Sequence, residues 1–589
     1  MSGLDYFALV KEERRLPPAS SPDALRLAVL GDASTQSLVK LLRVLLVRVG
    51  IEAEIWEGSF DTVETEAFNP SSDLFSFRPA AVVIASSLGA YRRRYYTEGG
   101  DRSQFAEQTA ARVTQVWGAL RARVTGAIVQ TNLVLPIERV YGHYDHKSPT
   151  SLYSSAQRFN SLLALASAER AGTFIADVDY VASLVGKLSF LDERGWTLAK
   201  QPCALEHLPL LAKSLVDILV ASLGRQVKCV VLDLDNTLWG GVIGDDGLEG
   251  IRIGHLGDGE AFEDFQLFLR ELNRRGILLA VCSKNNHEVA IRAFREHPEM
   301  VLREEHIAAF VANWDDKAQN IRLIRERLNI GLDSMVFLDD NPFERNLVRE
   351  LLPEVIVPEL PEDPSEYVRA IARLNLFETS VHSGLDADRT QLYRAAALRD
   401  AEKSQFASLD EYLAALRMVI KISRFDRFKL GRIAQLLQRS NQFNLMTRRF
   451  GEADCERMML DTTNYEPISV SLKDKFGDHG LISVVVLRVE DSDLVIDEYV
   501  MSCRVLQRGV EDRTMNRVFA IARERGLSRV VGGYRPTPKN AMVADFYQRF
   551  GFSMAGEPGE AGSATHWTMT VADYVERPTH LTDAELETT

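Results

Sequence analysis

The stretch Val227-Lys228-Cys229-Val230-Val231-Leu232-Asp233-Leu234-Asp235-Asn236-Thr237-Leu238-Trp239-Gly240-Gly241 decides the fold of the middle of this chain. An apolar run of strand character delivers two carboxylates, Asp233 and Asp235, and then breaks into Asn236, Thr237 and a glycine pair. Two residues apart, both carboxylates point the same way on an extended backbone. At the carboxyl end of a buried parallel strand, that arrangement suits a Mg²⁺ ion and a phosphate. Phosphoryl chemistry is the first expectation.

Working outward, three further elements fit that chemistry. Ser283 and Lys284 follow the strand-like run 277–282, where they are placed to bind phosphate oxygens. Lys317 heads a helical stretch and offsets the charge of nucleophile and phosphate. Asp339 and Asp340 end the strand-like run 334–338 and complete, with Asp233 and Asp235, a set of hard oxygen ligands for Mg²⁺. In this scheme Asp233 attacks phosphorus and forms an aspartyl-phosphate. Asp235 protonates the leaving group and then deprotonates water. Taken singly, each element has a plainer reading: a turn for the acid pair, a helix cap for Ser283, a solvated surface lysine for Lys317. In this order, each at the end of a strand or helix, they form one constellation.

Composition bounds the rest. A chain of 589 residues exceeds one ordinary core and predicts three or four domains. With 46% apolar and 26% charged residues it is of ordinary globular make-up. A net charge of −14 argues against a general nucleic-acid binder. No apolar run reaches the length of a membrane helix, and the first 18 residues lack the apolar core of a secretory signal. Five cysteines without a CxxC pair predict free thiols and a cytoplasmic location.

Strand–helix alternation predicts a multidomain α/β protein. A first α/β domain covers residues 1–210, a phosphatase-type domain 225–375, a helical linker 376–400 and an α+β domain 401–575, with a polar, frayed tail at 576–589.

The acids and the residues between them resemble the haloacid-dehalogenase (HAD) superfamily, whose DxDxT, Ser/Thr, Lys, Asp-Asp pattern is complete here. Only residues 236–259 separate Asp235 from the next helix, too few for a large cap, so a HAD-like Rossmannoid domain with an open site is expected. The longer wording Leu-Asp-Leu-Asp-Asn-Thr-Leu-Trp-Gly-Gly-Val-Ile-Gly-Asp-Asp-Gly (232–247) resembles the FkbH-like branch of that superfamily. So do Cys-Ser-Lys-Asn-Asn (282–286), Asp-Asp-Asn-Pro-Phe-Glu (339–344) and Gln-Arg-Ser-Asn-Gln-Phe-Asn-Leu (438–445). Phe-Gly-Asp-His-Gly (476–480) and Met-Ser-Cys-Arg-Val-Leu-Gln-Arg-Gly-Val-Glu (501–511) extend the likeness.

That resemblance implies a glyceryl transferase and phosphatase of polyketide biosynthesis. Such proteins take the phosphoglyceryl group of 1,3-bisphosphoglycerate as a thioester and remove the phosphate. They then pass a glyceryl unit to the phosphopantetheine thiol of an acyl-carrier protein. In this sequence the nucleophile is then Cys503, with Arg504 and Arg508 favouring the thiolate and binding phosphate. His479 is the base, and Asn441 orients it or donates to an oxyanion.

Two weaker likenesses concern the outer domains. Gln507-Arg508-Gly509-Val510 and residues 540–552 resemble the N-acetyltransferase (GNAT) fold, although Glu511 stands where that loop has a small residue. A pantetheine arm on a carrier therefore suits the domain better than free acetyl-CoA. Gly31-Asp32-Ala33-Ser34 is similar to the Gly-Asp-Ser of SGNH hydrolases, with alanine in the serine's place. A degenerate SGNH-like domain serving carrier or partner docking follows. The alternative function is a Mg²⁺-dependent HAD phosphatase of a phosphometabolite or phosphoprotein, with the flanking domains as docking scaffolds. A scaffold with no active site is the third reading, against which the complete acid set counts.

Overall fold

Unbroken apolar runs such as Cys229–Leu232 become inner strands of parallel sheets, because a strand covered by helices on both faces has no solvent side to make polar. The structure, a computed structural model, describes residues 4–21, 24–380, 390–393, 408–475, 477–502, 505–506, 508–537, 539–556 and 563–584. It divides into two compact units, one of Met1–Gly224 with Glu378–Ser380 and Phe450–Asp454, the other of the remaining residues. The chain is a mixed α/β multidomain protein with parallel sheets.

In the first unit, β1 (Leu25–Gly31), β2 (Ala53–Glu57), β3 (Ala81–Ala85), β4 (Ile128–Thr131) and β5 (Thr173–Ala176) pair in the order β2-β1-β3-β4-β5, all parallel. Val29, Val83 and Val129 lie opposite one another across its centre. Leu41, Leu215 and Leu219 belong to one core of this unit, and Trp117, Leu120 and Phe159 to another. Helix Leu208–Ser222 buries Leu211, Leu215 and Leu219 as one stripe at four-residue spacing, which carries the unit past residue 210 to Gly224.

The second unit holds two sheets. In the smaller one, β6 (Cys229–Leu232), β7 (Leu278–Ser283), β8 (Ile307–Ala312) and β9 (Met335–Leu338) run parallel in the order β8-β7-β6-β9. The chain moves outward from β6 through β7 to β8, then returns to the other side of β6 as β9. The loops leaving β6 and β9 thus diverge at a topological switch point, where a crevice opens. Residues 236–257 form no cap domain. Gly240 and Arg252 exchange two backbone hydrogen bonds (2.9 and 2.8 Å) around the short helix Ile243–Gly250.

The larger sheet contains β10 (Val419–Arg424), β11 (Phe443–Asn444), β12 (Ile468–Asp474), β13 (Gly477–Glu490), β14 (Asp493–Met501), β15 (Arg529–Tyr534), β16 (Ser553–Ala555), β17 (Thr565–Thr570) and β18 (Thr582–Asp583). β14 runs beside β15 only over Asp493–Ile496 and pairs with β11 at Val500 and Met501. Leu445 N–H donates to Tyr499 O (3.2 Å), and Leu445 O accepts from Arg535 N–H (2.8 Å). The segment after β11 therefore bridges the two diverging chains. Glu498, fully buried, fixes it by accepting from the N–H groups of Met446 (3.0 Å), Tyr499 (2.9 Å) and Arg448 (2.6 Å).

The tail expected to fray from residue 576 does not do so throughout. Thr582 and Asp583 pair with Val419 and Ile420, and Ala584 N–H donates to Ile420 O (2.8 Å). The open edge of β10 has backbone groups that need partners, and the tail supplies them. Residues 585–589, and 381–389 and 394–400 of the expected linker, lie outside the described residues. No described helix is long and apolar enough to cross a membrane.

Candidate active site

The adjacency of β6 and β9 brings the acids together. Asp233 N–H donates to Leu338 O (3.0 Å), which sets the end of β6 against the residue before Asp339. One carboxylate oxygen from each of Asp233, Asp339 and Asp340 lies within 4.8 Å of the others. Lys317, first residue of helix Lys317–Leu328, is only 3% exposed, and its Nζ lies 2.9 Å from Asp233 Oδ2 and 2.5 Å from Asp339 Oδ2. Although burial opposes its charge, the two carboxylates hold the Lys317 ammonium protonated well above its ordinary range. Burial, then the neighbouring Asp233, pushes the Asp339 and Asp340 carboxyls up. Three crowded hard oxygens with one ammonium among them fit a small dication, whose charge would relieve their repulsion.

Supporting contacts fix this group. Thr237 Oγ1 donates to Asp340 Oδ1 (3.1 Å) and accepts from Asp340 N–H (3.2 Å). Arg345 Nη1 donates to the carbonyls of Asp339 (2.8 Å) and Asp340 (2.6 Å), and its other edge grips Glu359. Asn341 N–H donates to Asp339 Oδ1 (2.8 Å). Such outer contacts orient ligands and tune their basicity.

Two expectations need correction. The carboxylate of Asp235 is not in the converging group. Its Oδ1 accepts from Trp239 Nε1 (2.9 Å) and Ile243 N–H (3.1 Å), and its Oδ2 from Asn285 Nδ2 (2.8 Å). The backbone turns after Leu234, whose carbonyl accepts from Thr237 and Leu238, so spacing along an extended strand does not apply. Lys284, expected on phosphate, pairs with buried Glu344 at 2.6 Å, a carboxylate that burial leaves in need of a cation. Ser283, buried, accepts from Asn285 Nδ2 (3.3 Å) at the end of β7.

A second cluster lies in the larger sheet. His479 is buried on β13, and its Nε2 is 2.7 Å from Asp474 Oδ2 at the end of β12. Arg508 Nη1 approaches the same oxygen at 3.5 Å. Asn441, expected to orient His479, instead accepts through Oδ1 from Arg449 Nη2 (2.5 Å). The short β12–β13 hairpin sets Asp474 across from Gly477 and so beside His479, leaving no need of Asn441 there. Cys503 and Arg504 lie outside the described residues. Ser502, just before them in sequence, donates its N–H to Ile482 O (2.7 Å).

The model of the FkbH N-terminal domain matches residues 26–220. A crystal structure of the N-terminal part of BF1531 from Bacteroides fragilis, which contains a phosphatase domain complexed with Mg, is 37% identical. It aligns over 64% of this chain and 99% of its own, with a TM-score of 0.60. The chain belongs to the FkbH-like family. Two further structures, an N-acetyltransferase and Ard1, are far more distant. The ribosomal-protein-S18-alanine enzyme of Escherichia coli covers 26% of the chain and 94% of its own, and Ard1 of Thermoplasma volcanium 26% and 97%. Both are 14% identical with a TM-score of 0.21, too remote to carry chemistry across. No curated protein matches.

In this FkbH-like chain the sequence motifs point to the right strand ends but not to the supporting contacts. Arg345 stands one residue past Asp-Asp-Asn-Pro-Phe-Glu, and Asn285 sits inside Cys-Ser-Lys-Asn-Asn; neither was singled out. Asp474 carried a usable signal, an acid five residues before His479 across a glycine turn.

Proposed function

We propose that this FkbH-like protein couples acyl transfer to phosphate removal, as a glyceryl transferase and phosphatase. The observation that carries the reading is the buried Lys317 ammonium held between Asp233 and Asp339, with Asp340 alongside, in an uncapped crevice. Asp233, Asp339 and Asp340 would hold Mg²⁺, which supplies charge stabilisation to the phosphoryl oxygens. An Asp233 oxygen attacks phosphorus, the bond to the leaving oxygen breaks, and Asp235 gives that oxygen a proton. Asp235 then takes a proton from water, whose oxygen attacks the aspartyl-phosphate, freeing phosphate and restoring Asp233. Lys317 offsets the negative charge throughout, and Ser283 faces the phosphoryl group.

In the acyl-transfer half, Cys503 passes its proton to His479, which Asp474 orients, and attacks the acyl carbon of 1,3-bisphosphoglycerate. Inorganic phosphate leaves, and a phosphoglyceryl thioester remains. Arg504 and Arg508 favour the thiolate and the phosphate, and Asn441 is kept for the oxyanion. A carrier protein's phosphopantetheine thiol then takes the acyl group. The first unit, read as a degenerate SGNH-like fold, docks the carrier, and the larger sheet is read as a GNAT-like acyltransferase. The protein works in the cytoplasm.

A second reading is a Mg²⁺-dependent phosphatase alone, acting on a phosphometabolite or phosphoprotein. It is supported by an acid centre whose described members, Asp233, Lys317, Asp339 and Asp340, all belong to the domain of the smaller sheet. Mixing the protein with 1,3-bisphosphoglycerate, Mg²⁺ and a phosphopantetheinylated carrier, then weighing the intact carrier, separates the two. A glyceryl-sized gain supports transfer. A carrier of unchanged mass, with phosphate release retained, supports the phosphatase alone.

A further inference from the structure

Asp235 stands apart from the converging acids, and the contacts that hold it there decide how it can act. Among the described residues, its donors are Trp239 Nε1 (2.9 Å) and Ile243 N–H (3.1 Å) on Oδ1, and Asn285 Nδ2 (2.8 Å) on Oδ2. An ionised carboxylate only accepts, and offers about two lone-pair sites on each oxygen. Both sites of Oδ1 are therefore taken, while Oδ2 keeps one open. A proton given or taken by this group passes through Oδ2.

The carboxylate is also held in place. Trp239 is fully buried, with its ring edge-on to Phe294 (centroids 6.1 Å apart), so its indole N–H finds no water if Asp235 swings away. The leaving oxygen of a substrate must come to Oδ2, and the donor already on Oδ2 sets where the open lone pair points. That donor is Asn285, buried just past the end of β7. Because a carboxylate only accepts, the amide nitrogen of Asn285 has to face it. The same nitrogen lies 3.3 Å from Ser283 Oγ, so its two hydrogens bridge the Asp235 carboxylate and the Ser283 hydroxyl. Accepting there, Ser283 keeps its own hydrogen for a phosphoryl oxygen.

We propose that Asn285 is a positioning residue for phosphate-ester cleavage, which aims Asp235 Oδ2 first at the leaving oxygen and then at water. The assignment rests on the acid–base role given to Asp235 above. As Asp233 displaces the leaving oxygen from phosphorus, that oxygen takes the proton from Oδ2. Oδ2 then takes a proton from the water whose oxygen attacks the aspartyl-phosphate, and the acid is restored.

The test compares two esters with the full chain and Mg²⁺. p-Nitrophenyl phosphate has a leaving group that departs as an anion, whereas that of phenyl phosphate needs a proton. Asn285→Ala should lose about tenfold more kcat/KM for phenyl phosphate than for p-nitrophenyl phosphate, a part of the roughly 10²–10⁴-fold that a positioned acid contributes. With p-nitrophenyl phosphate, kcat and KM should fall together, because only the water step still needs Oδ2, and intact mass should show phosphorylated protein accumulating. Asn285→Ser, gentler on the buried position, should behave alike. An equal loss for both esters, or no loss, overturns the positioning role, since a merely structural defect does not distinguish leaving groups. Asp235→Asn separates the two claims. If it steepens the dependence on leaving group and the Asn285 variants do not, the role of Asn285 alone falls. If it does not, or if the wild type hydrolyses neither ester, the acid role of Asp235 falls and the inference with it.

Discussion

The ammonium of Lys317 lies 2.9 Å from the carboxylate of Asp233, both groups buried at the switch point between β6 and β9. Removing one partner of a buried pair leaves an uncompensated charge, which costs about 3–5 kcal/mol. Lys317→Met should therefore melt well below the wild type in chelator, and Mg²⁺ should raise its melting temperature more than the wild type's. Equal Mg²⁺ shifts would separate Lys317 from the metal group.

Thr237 both donates to Asp340 and accepts from its backbone N–H. Outer contacts of this kind change metal affinity roughly 10–100-fold. Thr237→Val should raise the Mg²⁺ concentration for half-maximal phosphatase activity by that factor. A Mg²⁺ titration of p-nitrophenyl phosphate hydrolysis reads it, and an unchanged midpoint would contradict the role.

Glu498 carries a pH prediction. Burial pushes its carboxyl up to about 7, against the three backbone N–H groups that favour its charge. The folded state then holds a proton that the unfolded chain releases from about 4.5 upward. Stability falls as pH rises between those values and is flat above, with a total loss on the order of 3 kcal/mol. Glu498→Gln should erase most of that decline in melting between pH 5 and pH 8. A parallel decline in both proteins would place the titration elsewhere.

Asp474 lies against His479 and, in the proposed mechanism, selects its tautomer. Asp474→Asn should slow carrier loading by about 10²–10⁴, as for other orienting carboxylates, while p-nitrophenyl phosphate hydrolysis continues. Loading at the wild-type rate would remove His479 from the mechanism.

The site's acids were legible because Asp233, Asp339 and Asp340 each close an apolar strand, and strand ends are where parallel sheets gather their chemistry. The direction of Asp235 was not. The turn after Leu234, with Asn236 at a φ of 54°, ends the two-residue repeat that the spacing argument assumed. Arg345 and Asp474 act through contacts that only folding creates. β8, Ile-Ala-Ala-Phe-Val-Ala, has too little bulk to announce itself, and the two-residue β18 is too short to show alternation. The five-stranded first unit was visible in outline from β1, β3 and β4, while half-buried β2 and β5 lacked a clear apolar run.

The central claim is that one chain makes an acyl thioester and clears its phosphate. Intact mass spectrometry of the Asp233→Asn protein after 1,3-bisphosphoglycerate, Mg²⁺ and carrier tests it most directly. The account predicts an acyl adduct that still carries its phosphate, absent from the same sample of Cys503→Ala and replaced by the bare glyceryl adduct in the wild type. A dephosphorylated adduct from Asp233→Asn, or an adduct that survives Cys503→Ala, would contradict it.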